Sequence, residues 1–206
     1  MGVKGLDQGQ RAALLIMECQ EGIANSAVRS SPLADMVAKR GIIPQIAALA
    51  DWFREQGLPV VHCHVAMPAR DSGIAWPINC LLAAYVWKAG EFWDGSALVQ
   101  SHRDLPVKPG DISMVRYSGV SPFTATQLDG VLRNLGVETV VLAGVSTNVG
   151  LPGAATEAVG LGYFAVLAED CSAGATAEVH EMQITANLPM IATISSAAAI
   201  RAAIAG

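Results

Sequence analysis

Short apolar runs recur along this chain, each bounded by Gly, Pro or Asp and separated from the next by enough residues for a helix. Six of them, at 12–17, 59–65, 112–117, 139–145, 163–168 and 190–195, read as strands. They are β-rich and mostly apolar and leave room for a helix between them, the pattern of a parallel α/β sheet. Between the first two, Ile43, Ile46, Ala47, Leu49, Ala50 and Phe53 fall at helical spacing over 42–56, with Pro44 tolerable in a first turn and Gly57 as the stop. A second helix is predicted over 124–135, where Leu128, Val131, Leu132 and Leu135 share a face ahead of Gly136. The stretches 150–160 and 175–187 supply two more, the former with Pro152 in its first turn and Ser146, Thr147 and Asn148 as candidate caps.

Residues 67–110 break this rhythm. The segment holds Trp76, Trp87 and Trp93 with Pro68, Pro77, Pro106 and Pro109, and it is too long for an ordinary connection. Two readings stay open: an excursion with a small helix around 81–87 that covers an edge or a subunit contact, or a lid over a pocket.

The length of 206 residues favours one domain, 1–206, and 52% hydrophobic residues supply its core. Thirteen basic against eighteen acidic residues, with no run of Lys or Arg, argue against nucleic acid as a partner. No apolar run approaches the ~20 residues that cross a bilayer, and residues 1–10 are too polar for a signal peptide, so no membrane partner and a cytoplasmic location are expected. Cys19, Cys63, Cys80 and Cys171 form no CxxC pair and are expected to be reduced and mostly buried.

In an open parallel sheet, ligands bind at the carboxyl ends of the strands, where the winding direction reverses. Glu18 directly follows Leu14-Leu15-Ile16-Met17, a position where desolvation favours a general acid or base. It is either the catalytic carboxylate or a partner for an Arg or a helix end. Cys19 beside it reads as packing, and Gln20 either orients substrate or binds backbone. The turn Gly144-Val145-Ser146-Thr147-Asn148-Val149-Gly150 offers small residues and free N–H groups at a helix start, an oxyanion pocket or a simple cap. Its spacing is not that of a nucleotide-binding glycine loop, and no G-x-S-x-G elbow occurs. His62 and His64 share one strand face at a spacing that metal sites use, but no third ligand is identifiable nearby, so hydrogen-bonded histidines are expected and no metal or other cofactor. His102 and His180 are expected at the surface.

Together, Ala13-Leu14-Leu15-Ile16-Met17-Glu18-Cys19-Gln20, Ser121-Pro122-Phe123-Thr124-Ala125-Thr126-Gln127-Leu128, Leu132-Arg133-Asn134-Leu135-Gly136 and Val141-Leu142-Ala143-Gly144-Val145-Ser146-Thr147-Asn148-Val149-Gly150, with Gly162-Tyr163 and Glu169-Asp170, resemble the isochorismatase-like hydrolase superfamily over nearly the whole chain. The resemblance implies a three-layer α/β/α fold on a doubly wound six-stranded parallel sheet in the order 3-2-1-4-5-6. It also implies a homo-oligomer, a small-molecule substrate and a cis peptide near Val145-Ser146. Typical members carry an Asp, a Lys and a Cys, the Cys attacking an amide carbon. Here Glu18 stands at the Asp, Arg116 or Tyr117 at the Lys, and Gly150 at the Cys. The isochorismatases proper work without that Cys, a carboxylic acid protonating an enol ether before water attacks.

The residues therefore point to a hydrolase in which a carboxylate activates water. Glu18 and Arg116 or Tyr117 would be catalytic, and Gln20, Ser146, Asn148, Val149 and Gly150 would bind substrate. The alternatives are a catalytically silent member that binds a small ligand or supports an assembly, and an amidohydrolase with a relocated thiol.

Overall fold

The computed structural model describes residues 2–69, 71–73 and 78–206, so Trp76 and Pro77 of the excursion lie outside the described residues. The elements run β1 (Ala12–Met17), α1 (Glu21–Ala24), α2 (Pro32–Arg40), α3 (Ile42–Glu55), β2 (Val60–Val65), α4 (Leu81–Ala89), β3 (Ile112–Arg116), α5 (Leu128–Asn134), β4 (Thr139–Val145), α6 (Gly150–Gly160), β5 (Phe164–Ala173), α7 (Ala177–Met182), β6 (Thr193–Ser195) and α8 (Ala197–Ala205). The strands form one parallel sheet in the order β3-β2-β1-β4-β5-β6.

Alternate residues of each central strand feed opposite layers, the period-two consequence of the pleat. Leu14, Ile16, Val141 and Ala143 pack under Ile42, Ile46, Leu49 and Phe53 of α3 and Ile200 of α8. Ala13, Leu15, Met17, Val140 and Leu142 pack under Leu128 and Leu132 of α5 and Leu151, Ala154 and Ala158 of α6. Every residue of β1, β2 and β4 is buried, the polar His62, His64 and Thr139 included, which is why these strands are apolar on both faces over most of their length.

Several boundaries differ from the sequence expectation. β5 runs on to Ala173 through half-buried Glu169 and Asp170, polar residues that do not look like strand. β6 begins at Thr193 because Leu188–Met190 forms a 3-10 turn around Pro189, and Met190 is 83% exposed. α5 starts at Leu128 rather than Thr124, since Thr126 Oγ1 accepts from Leu128 N at 3.2 Å and Ala125 adopts a positive φ of 54°. α7 stops at Met182, and Gln183–Asn187 continues as a π turn. Unpredicted α2 carries a readable start, Ser31-Pro32, whose Ser31 Oγ accepts from Ala34 N at 3.1 Å.

The excursion forms a third small core of Ala66, Met67, Phe92 and Val99, while Leu81, Tyr85 and Trp87 of α4 are exposed. Its returning end pairs antiparallel with the residue after Cys19, through the bridge Gln20 to Ser101. Among the described residues, no helix is long and apolar enough to cross a membrane.

β1 and β4 approach closely at Gly144, whose φ is 102° and whose added Cβ would lie 2.3 Å from Met17 O. Gly144→Ala is expected to destabilise the protein by about 3 kcal/mol, the sum of a backbone clash and the left-handed conformation. Urea denaturation checks this, and a change below about 1 kcal/mol would contradict the tight approach.

Candidate active site

β1 ends in the buried crevice between β2 and β4, and its next residue turns sharply. Glu18 takes a φ of 50°, left-handed backbone that costs a non-glycine residue about 1 to 2 kcal/mol, and its N–H donates to Cys63 O at 2.9 Å. This turn directs the carboxylate across the sheet end. Arg116, the last residue of β3 and 1% exposed, donates through Nη2 to Glu18 Oε1 and through Nε to Gly119 O at 3.3 Å. Its Nη1 is buried without a hydrogen-bond partner.

The same Glu18 Oε1 lies 3.3 Å from the point a Cβ on Gly150 would occupy, and Val145 O lies 3.0 Å from it. Glu18, Arg116 and Gly150 therefore meet at one place although they come from three elements. The sequence left Arg116 and Tyr117 as alternatives, and the structure separates them. Tyr117 is exposed and donates to Asp94 Oδ2, a hydrogen bond that raises its phenol pKa, while Arg116 holds Glu18.

The turn before α6 contains the cis peptide Val145-Ser146. Ser146 O accepts from Val149 N at 3.2 Å and Leu151 N at 3.0 Å, and Gly150 N–H finds no acceptor among the described residues. None of Ser146, Thr147 and Asn148 caps α6, contrary to the sequence expectation. Asn148 Oδ1 accepts from Ala175 N at 3.1 Å, and Thr147 Oγ1 meets His180 Nδ1 at 3.2 Å. Their polar atoms hold the segment after β5 instead. Val149 is partly exposed at the rim.

Gln20 is bound to backbone. Fully buried, it donates from Nε2 to Val65 O at 2.9 Å and Val99 O at 3.0 Å and accepts from Val65 N at 2.9 Å. Both amide protons are thus committed to backbone, the second of the two alternatives that the sequence left open for Gln20.

His180 and His102 are buried rather than on the surface, at 2% and 8% exposure. His180 joins Thr147 to Glu169, which also binds Arg40, so a chain of four polar side chains supports the turn. Sequence periodicity carried no signal for it, because its members come from four separate segments. His62 and His64 converge on Ser101: His62 Nδ1 lies 3.2 Å and His64 Nε2 2.9 Å from its Oγ, while His62 Nε2 lies 3.2 Å from Asp111 Oδ2. With both rings neutral, one directional run of hydrogen bonds satisfies the set. Among the described residues, no group of three His, Cys, Asp or Glu side chains could hold a metal ion.

Burial lowers the pKa of His62, His64 and His180, that of His64 from 6.5 to about 4. Below pH 6.5 the unfolded chain takes up protons that the folded chain refuses, so stability falls with falling pH until the folded pKa is passed. His64 alone is expected to remove roughly 2 kcal/mol between pH 7.5 and 5. Denaturant titrations at the two pH values check this, and equal stabilities would contradict it.

Burial also pushes up the thiols of Cys19, Cys63 and Cys171, those of Cys63 and Cys171 to about 12. Cys80 is exposed at the start of α4. Cavities of about 320 and 630 Å³ lie on other parts of the molecule, neither lined by Glu18, Arg116 or Gly150.

Residues 12–199 match the family model described as the isochorismatase domain. The chain is 31% identical over 185 residues to the isochorismatase family protein YecD of Escherichia coli O157:H7, covering 89% of this chain and 91% of that one. It is 26% identical over 180 residues to a maleamate amidohydrolase of Pseudomonas putida, covering 85% and 78% of the two chains. The crystal structure of an isochorismatase family protein from Desulfovibrio vulgaris superposes with a TM-score of 0.79 at 23% identity, covering 96% of this chain and 100% of that one.

Proposed function

The chain belongs to the isochorismatase family, and from that premise we propose that it hydrolyses a small amide-type molecule by direct attack of water, with Glu18 as the proton-transfer group. One observation carries the reading. The Glu18 carboxylate lies against Gly150, 3.3 Å from where a side chain there would begin, so the turn presents a carboxylate where the resemblance puts a thiol.

The chemistry then follows from the groups present. Glu18 Oε1 is held by Arg116, which leaves Oε2 to take a proton from water as its oxygen bonds to the substrate carbonyl carbon. Charge developing on the carbonyl oxygen is met by the Gly150 N–H at the positive end of α6. The C–N bond breaks as Glu18 returns the proton to nitrogen, and the products are an acid and an amine. A small amide is the substrate class because a relative named for such a compound, the maleamate amidohydrolase, aligns over most of this chain. The same reading has the chain working as a single cytoplasmic domain in a homo-oligomer, without nucleic-acid or membrane partners.

A specific observation favours a second reading, a silent ligand-binding member: Glu18 and Arg116 pair with each other in a site that is already buried. Turnover separates the two. Small amides, ureides, esters and enol ethers are screened with the protein before and after iodoacetamide. Hydrolysis is expected and is expected to survive alkylation, because only Cys80 is exposed. Loss on alkylation would restore a thiol mechanism, and absence of turnover across the panel would favour the silent reading.

A further inference from the structure

A cavity of about 630 Å³ lies beside the start of α3, on the face of the sheet that α3 covers. Val37, Ile43, Pro44 and Ala47 form its apolar wall, and His102 and Asp104 form its polar end. His102 is 8% exposed, and its Nδ1 accepts from Asp104 N at 3.2 Å. The neutral ring therefore carries its proton on Nε2. No partner for Nε2 exists among the described residues, and the atom is not sealed off, on a ring that lines the cavity. Asp104 adds an acceptor-only carboxylate, its side chain 75% exposed. The amide of Asn25, on the same wall, is committed to Glu21 and Ala27.

We propose that this cavity is a second small-molecule site, which takes an apolar body carrying an uncharged primary carboxamide. Three head groups can be compared on charge and hydrogen-bond sense. A carboxylate would accept from His102 Nε2 but face Asp104. An ammonium would pair with Asp104 but point protons at the His102 N–H. A carboxamide does both jobs, its oxygen accepting from His102 and its NH2 donating to Asp104, while the body covers the apolar wall. The site is independent of the Glu18 reading, since its polar end uses neither Glu18 nor Arg116.

Benzamide, benzoate and benzylammonium share one ring and differ in the head group, so they serve as probes. With histidine labelled in 15N, the His102 Nε2 resonance reads this site and not the turn at Gly150; it is assigned by its loss in His102→Gln. Benzamide is expected to shift that resonance saturably with a dissociation constant in the millimolar range, and the two charged probes to bind at least about tenfold more weakly. Ala47→Phe, which fills the apolar wall, is expected to abolish the shift while circular dichroism remains that of the parent. If Ala47→Phe does not fold, the comparison of head groups on the parent protein decides alone. A benzoate or benzylammonium affinity equal to that of benzamide would overturn the carboxamide assignment. No saturable shift by benzamide up to its solubility limit would remove the site, and an undiminished shift in folded Ala47→Phe would place the ligand elsewhere.

Discussion

Glu18→Gln is expected to lower turnover of any substrate this protein hydrolyses by at least about 10²-fold, the lower end of what a positioned proton-transfer group contributes. Glutamine keeps the length of the side chain and an oxygen that can accept from Arg116 Nη2, the contact seen in the parent. What it removes is the ability to take a proton from water. The loss should fall on kcat, because the Gly150 N–H at the α6 N-terminus still meets the substrate carbonyl. Thermal denaturation of the variant separates a chemical defect from a folding one, since a folded protein with parental turnover would exclude Glu18 as the proton-transfer group. If Cys19→Ser lost activity while Glu18→Gln kept it, a thiol route would replace the one proposed, although burial pushes the Cys19 thiol well above its ordinary pKa.

Arg116→Met is expected to cost about 3 kcal/mol of stability, because removing one partner of a buried ion pair strands the other. Arg116 is 1% exposed and the Glu18 side chain 12%, so solvent does little to replace the lost charge. The figure is set at the lower end of the range for such pairs because the change also removes the unsatisfied Nη1. The combined variant Glu18→Gln with Arg116→Met tests the attribution in denaturant titrations. It should be more stable than the sum of the single changes implies, since no charge is then left unpaired. Strict additivity would mean that the two residues do not stabilise each other.

The layout of the sheet was legible in the chain because hydrophobic runs and their punctuation are local properties. β1 and β4 match their sequence ranges because they are buried throughout, and α3 and α6 agree to within a residue because their buried positions recur at helical spacing. Glu18 and Gly150 were likewise readable, as positions immediately after strands of a parallel sheet and by resemblance to a family. Tertiary structure alone decided the polar interior. The sequence left Arg116 and Tyr117 as alternatives, and Arg116 is the buried one because Glu18, 98 positions away, compensates its charge. His180, expected at the surface, is buried on Thr147 and Glu169 from other segments, and Gln20 takes the backbone-binding alternative through Val65 and Val99. An apolar side chain advertises its burial through transfer free energy that depends on itself. A polar one is buried only where a distant partner meets its hydrogen bonds, and that partner exists only once the chain has folded.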